Sequence, residues 1–197
     1  MEQEKVWDAI AKDWKKFRKT PLTNVEDFLK VRTGKILDLG CGSGRNFMKL
    51  QGVEFYGVDF SGKMLELARG SVEDLGIEID LRKAEVFETD FDDDFFDYVL
   101  CNAVLHCVDS AEKRKKTLEE IHRVLKPGGE AFVSVWGKNS PRLKDREKEC
   151  FVPWAVEHER YTYVFDLVEL EDLAREVGFE VVQSFEDVNV NVVLRKV

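Results

Sequence analysis

The chain has 197 residues, 44% hydrophobic, with 39 acidic residues against 30 lysines and arginines and a net charge of −9. That length sets a single domain, 1–197, as the expectation. No apolar run approaches the roughly 20 residues of a membrane span. The N-terminal MEQEKVWDAIAKDWKKF lacks the apolar core of a signal peptide, so a cytoplasmic location and no membrane association are expected. The acidic balance is unlike that of a free-standing nucleic-acid binder. Of the four cysteines, Cys41, Cys101, Cys107 and Cys150, no two form a C-x-x-C pair, so no metal site is expected. Abundant charge with few Asn and Gln leans toward a thermophilic source.

In chain order, Val6, Trp7, Ile10, Ala11, Trp14 and Phe17 recur at helical spacing. Lys12, Lys15, Lys16, Arg18 and Lys19 crowd the end of that segment, as a solvated helix end or a phosphate-contacting patch. Pro21 breaks the helix, and Val25, Phe28, Leu29 and Val31 suggest a second; residues 1–33 read as a helical cap.

Ile36, Leu37 and Leu39 read as a buried strand running into Gly40-Cys41-Gly42-Ser43-Gly44, with a helix opening near Arg45. Alternate glycines let the backbone turn sharply and approach a ligand closely, and a helix starting there would aim free N–H groups at it. A second strand, Val53 to Val58, ends on Asp59, about 20 positions on, where a ribose-binding carboxylate belongs. The nicotinamide fingerprint G-x-G-x-x-G would need glycine at 45, and Arg45 argues against hydride transfer.

Ser61 is placed to cap a helix through Met64, Leu65, Leu67 and Ala68. Ile77, Ile79 and Leu81 alternate as a half-exposed strand; Phe96 to Asn102 is another. Ser110 or Asp109 caps a helix that Lys126-Pro127-Gly128-Gly129 stops. Glu130 to Trp136 is a strand and Lys138 to Glu149 an exposed charged loop. Leu167 to Val177 is the last helix, followed by strands at Phe179–Phe185 and Val190–Leu194. Alternation of strands and helices predicts an α/β fold, a doubly wound Rossmann-like sheet. The last two strands, joined too briefly for a crossover, must be antiparallel. Ligands of such sheets bind beyond the carboxyl ends of the strands, where 40–44, Asp59, Glu85 and Asn102 fall.

LDLGCGSG resembles motif I of the class I S-adenosylmethionine (SAM) methyltransferases. That resemblance implies a seven-stranded sheet, mostly parallel with an antiparallel C-terminal strand. It also implies SAM held by Asp38, Gly40, Gly42, Gly44, Asp59, Phe60, Glu85, Val86 and Asn102. Glu85 stands where the family more often has Asp.

Four further pieces resemble the tRNA methyltransferases that esterify carboxymethyluridine at the anticodon wobble position: VWDAIAKDWKKFRKTPLTNVEDFL, the segment Ala103–Trp136, Phe151-Val152-Pro153-Trp154, and Arg160-Tyr161-Thr162-Tyr163-Val164-Phe165. The resemblance implies tRNA as substrate and a small zinc-binding activator protein as partner, with 138–166 as a substrate-side insertion. The chain departs from the family pattern at Cys107, Thr162, Tyr163 and Val192, all expected to face the substrate. Arg160 is the natural fork for a carboxylate, with Tyr161 and Tyr163 to stack on the base and His106 to orient the acceptor. A surface ion pair of Arg160 with Glu157 or Glu159 is the plainer reading of that residue. A small-molecule O- or N-methyltransferase and a non-catalytic SAM-binding regulatory subunit are the competing readings. Lys12–Lys19 gathered with Lys113–Lys116 around the pocket mouth would favour RNA; their dispersal would favour the small molecule.

Overall fold

The computed structural model describes residues 3–143, 145–154 and 158–197. Helices α1 (Gln3–Phe17) and α2 (Thr23–Leu29) precede β1 (Gly34–Leu39) and β2 (Val53–Asp59). Then come α3 (Gly62–Leu75), β3 (Asp80–Lys83), β4 (Phe96–Asn102), α4 (Ala111–Val124) and β5 (Leu125–Trp136). A hairpin of β6 (Glu149–Trp154) and β7 (His158–Tyr163) follows, then α5 (Leu167–Val177), β8 (Phe179–Glu186) and β9 (Asn189–Lys196).

The main sheet has seven strands in the order β3-β2-β1-β4-β5-β9-β8. Strands β1 to β5 are mutually parallel, and β9 runs antiparallel to both β5 and β8. Helices cover both faces. Leu118 and Ile121 of α4 and Leu170 and Ala174 of α5 pack on one face. Val25, Phe28 and Leu29 of α2 and Leu65, Ala68 and Val72 of α3 pack on the other. With both faces covered, the central strands can be continuously apolar, and Ile36, Leu37, Leu39, Val99 and Leu100 are fully buried.

Helix ends follow their side chains. Ser61 caps α3 by accepting the Met64 N–H, Ser110 caps α4 through Lys113 N–H, and Asp166 caps α5 through Glu169 N–H. Gly76 and Gly178 end α3 and α5 in the left-handed conformation.

Three expectations need correction. No helix opens at Arg45: residues 42–46 are turn and 47–50 irregular. The segment 45–52 must return the chain along the sheet to the start of β2. The six residues of β1 span roughly 20 Å at about 3.3 Å per residue, while the segment 45–52 as a helix would cover only about 12 Å. Phe47 anchors the crossover instead, packing on Phe55 at 5.7 Å. Strand β3 is confined to Asp80–Lys83, so Ile77 and Ile79 precede it. Val31 lies beyond α2 and is exposed. The hairpin β6–β7, with Val152 opposite Arg160, was not foreseen as strands.

At the amino end of β4, Phe96 is fully buried among Phe91, Phe95 and Tyr56, with ring centroids 4.8–5.1 Å away. Phe96→Ala should therefore cost about 3–5 kcal/mol of unfolding free energy. Urea titration followed by circular dichroism reads this as a lowered midpoint with the native spectrum retained.

Candidate functional site

Beyond the carboxyl ends of the parallel strands lies a cavity of about 580 Å³. Gly40, Gly42, Asp59, Phe60, Glu85, Val86 and Asn102, all expected from the sequence, line it. His106 lines it too.

The glycine loop is held from below. The N–H groups of Gly40 and Cys41 both donate to Val58 O at 2.8 Å. Gly42 N–H donates to Asp59 Oδ2 at 2.8 Å, and Ser61 N–H to Asp59 Oδ1 at 2.9 Å. Gly40, at φ +77°, has no room for a Cβ, which would fall 2.5 Å from Val104 Cγ2. Gly42, at φ +54°, meets nothing within 4 Å on its Cβ side. The left-handed backbone thus leaves that side of the loop open.

Burial pushes the Asp59 carboxyl up to about 6, against the pull of its two N–H donors. Asp38, fully buried, is pushed up to about 7 by desolvation. Asp38 and Gly44 do not line the cavity. Asp38 accepts from Asn46 Nδ2 at 3.1 and 3.3 Å, and Gly44 packs against Phe47 and Ala68. Asn46 Oδ1 and both amide atoms of Asn102 are buried without a hydrogen-bond partner, and both residues line the cavity. Buried amides are normally satisfied, so these mark where a polar ligand's donors and acceptors belong.

His106 is buried, stacked on Trp136 at 4.8 Å and 16°. Its Nδ1 accepts the Trp136 backbone N–H at 3.3 Å. Burial, with the Arg160 charge nearby, lowers its pKa to about 3. The imidazole is therefore neutral at physiological pH, with its proton on Nε2.

Arg160 is not a surface ion-pair residue. It is 1% exposed, and among the described residues no carboxylate pairs with it; Glu157 lies outside the described residues. All four tryptophans of the chain surround its guanidinium: Trp14, Trp136 and Trp154 at 5.2 Å and Trp7 at 5.6 Å. Nε and Nη2 are buried and unpartnered. Burial lowers its pKa to about 10. It stands behind the cavity wall formed in part by Trp7, Trp14 and Trp136.

Tyr161 and Tyr163 are corrected more sharply: neither lines the cavity. Tyr161 Oη accepts from Arg114 Nη1 at 3.0 Å, and Tyr163 Oη meets Glu169. Of the departures from the family pattern, only Cys107 reaches the cavity; Thr162 and Val192 are buried elsewhere.

The sequence reading missed Arg45 and Arg142 as site residues, and placed Arg18 among the cations of a solvated helix end or a phosphate-contacting patch. All three line the cavity, and none has an ion pair among the described residues. Arg18 and Arg45 have lowered pKa values, first through burial, then through the neighbouring arginines Arg142 and Arg18 respectively. The lysines disperse instead. Lys15 donates to Leu67 O, Lys16 pairs with Asp13, Lys115 with Glu176 and Lys116 with Glu112; Lys113 alone of these lines the cavity.

A carboxyl whose folded pKa is raised binds more protons in the native state than in the unfolded one, so its contribution to stability falls as pH rises. For Asp38 that fall spans pH 3.8 to about 7. Asp38→Asn should be less stable than the parent, relative to its pH 8 difference, when both are measured at pH 4. Urea midpoints across that range check this; parallel curves would refute the buried, protonatable Asp38.

A family model described as a methyltransferase domain matches residues 37–133. A putative methyltransferase of Encephalitozoon cuniculi is 31% identical over 160 residues, covering 77% of this chain and 72% of that protein. The tRNA (carboxymethyluridine(34)-5-O)-methyltransferase of Saccharomyces cerevisiae is 30% identical over 159 residues, 77% of this chain and 56% of that protein. The chain thus spans only part of the length of curated relatives it matches, from 25% to 72%. In fold it resembles a chain of a solved complex between the Haloferax volcanii Trm112 methyltransferase activator and a putative methyltransferase, with TM-score 0.74, 19% identity and coverage of 96% of this chain and 97% of that one. With its sheet order, its glycine loop bound to Asp59 and these relatives, the chain belongs to the class I SAM-dependent methyltransferases, enzymes whose cofactor is S-adenosylmethionine.

Proposed function

We propose that the protein methylates a carboxylate, namely the carboxymethyl group of a tRNA wobble uridine, to its ester. One observation carries the reading: among the described residues no carboxylate forms an ion pair with Arg18, Arg45 or Arg142 at the cavity, or with Arg160 behind it. Four guanidiniums sharing so small a volume raise one another's free energy until an anion joins them. The yeast relative's activity supports the choice of anion.

Bound SAM would supply a methyl group on a cationic sulfonium. Gly40, Gly42, Asp59, Phe60, Glu85, Val86 and Asn102 hold it in this reading. The open side of Gly42 and the unpartnered Asn46 and Asn102 amides fit such a polar ligand. Asp38 fixes the Asn46 amide, and Gly44 lets the turn close. The acceptor carboxylate is already ionised at neutral pH, so no general base is needed. Arg18, Arg45 and Arg142 bind it and keep it ionised, and with the tryptophans they exclude water. His106, neutral, offers Nε2–H to orient it. Tyr161 holds Arg114 rather than the substrate.

A small zinc-binding activator protein belongs to the same proposal, supported by the fold likeness to the Haloferax complex. The β3 edge it would meet is short and charged, with Arg82 paired to Asp80 and Asp90. Contact there would run through backbone groups and charges rather than apolar surface.

A second reading, a small anionic acceptor, is favoured by the dispersal of the lysines and the net charge of −9. Transfer from tritiated SAM to total tRNA lacking the wobble methyl ester, with and without the activator, separates the two. Alkali-labile label in tRNA is expected; no label in tRNA would turn the assignment to the small acceptor. Arg160→Ala should lower turnover by about 100-fold, as misplacement of the tryptophan wall that positions the acceptor does, with SAM affinity retained in calorimetry. Asp59→Ala should weaken SAM by about 10- to 100-fold, the scale of a lost charged hydrogen bond; unchanged affinity would overturn the ribose assignment.

A further inference from the structure

Beside the cavity runs an open groove of about 680 Å³, lined by Phe17, Trp154, Pro153, Lys16, Arg142 and Arg146, with Asp13 and Val152. Arg142 lines both, so the two are adjacent. We propose that this groove is a nucleotide subsite, taking the base and phosphate of a nucleotide next to the acceptor in a single-stranded RNA segment. The inference rests on the RNA reading above.

Three features of the groove support it. Phe17, at the end of α1, is 70% exposed, against 49% for Phe151. Its ring meets Trp154 edge-on at 6.1 Å, and Trp154 in turn leans on Trp14 at 5.1 Å. The exposed ring is thus braced by a rigid aromatic stack, the form of a stacking platform for a base. The charge around it is positive in a chain of net −9: Lys16, Arg142 and Arg146 face a single acid, Asp13. Arg146 donates through Nε to Arg142 O and through Nη1 to Phe151 O, so its charge is fixed in place with no carboxylate partner among the described residues. Planar apolar faces interleaved with fixed cations match alternating bases and phosphates. An acceptor that ended inside the cavity would have no use for them.

The test uses the full chain, SAM, and an anticodon stem-loop carrying carboxymethyluridine. In Phe17→Ala the KM for this RNA should rise about tenfold, within the range for one lost base stack. The kcat at saturating RNA and the SAM affinity should hold. Phe17→Trp should restore KM, which a merely structural role would not require. Lys16→Glu should weaken RNA binding in fluorescence anisotropy and flatten its dependence on salt. If wild type labels the stem-loop and Phe17→Ala leaves KM unchanged, or lowers SAM affinity in parallel, the subsite is refuted and the methyltransferase reading stands. If wild type labels no RNA, the RNA reading itself fails and the subsite with it.

Discussion

A guanidinium taken out of water without a carboxylate beside it is the constraint on which the rest of this structure turns. Desolvating a cation costs several kcal/mol even after the protein relaxes. Arg160 offsets part of that through four indole faces at 5.2–5.6 Å, each such contact being worth about 0.5–2 kcal/mol. The cage is built from three separate places in the chain: Trp7 and Trp14 of α1, Trp136 at the end of β5 and Trp154 of β6. Helix α1 and the β6–β7 hairpin are therefore held to the sheet by the same residue that makes the site cationic. In the proposed reaction stability and anion affinity are coupled there, because the caged charge lies behind the tryptophan wall that the acceptor faces.

The cofactor side follows the opposite logic. There the buried charges are acidic, and each has an assigned partner: Asp59 takes two backbone N–H groups, and Asp38 takes Asn46. Asp59 does locally what a helix N-terminus was expected to do, since its carboxylate rather than a helix dipole fixes the direction of the glycine loop. The absence of a crossover helix after β1 follows from chain length, and Phe47 supplies in packing what the helix would have supplied in hydrogen bonds.

What the sequence made legible divides along this line. The central strands of the main sheet are apolar runs covered on both faces, and α5 and the final hairpin are bounded by Gly178 and by Asp187, so local pattern suffices for them. The glycine loop and Asp59 are neighbours in space because they follow adjacent strands, and spacing alone reveals that. The hairpin β6–β7 is different. Its buried members include Arg160 and Thr162, polar residues that no alternation of hydrophobicity singles out. Arg160 looks like a surface cation beside Glu159 because its burial is decided by tryptophans up to 153 positions away. Arg18 and Arg142 meet only in the folded chain, where each lowers the affinity of the site for protons. Tyr161, conspicuous in the motif, is spent on Arg114.

The two sides meet at His106. Its Nδ1 is occupied by the Trp136 N–H, its ring is stacked on the indole that also faces Arg160, and burial keeps it uncharged. A charged imidazole here would add a fifth cation to an already repulsive group and would itself compete for the acceptor. A neutral one contributes a directed donor without altering the charge balance between acceptor and arginines. The low pKa is imposed first by burial and then by the Arg160 guanidinium, and in the proposed reaction it makes His106 an orienting group rather than an acid or base. That agrees with a reaction whose acceptor arrives ionised and leaves as a neutral ester.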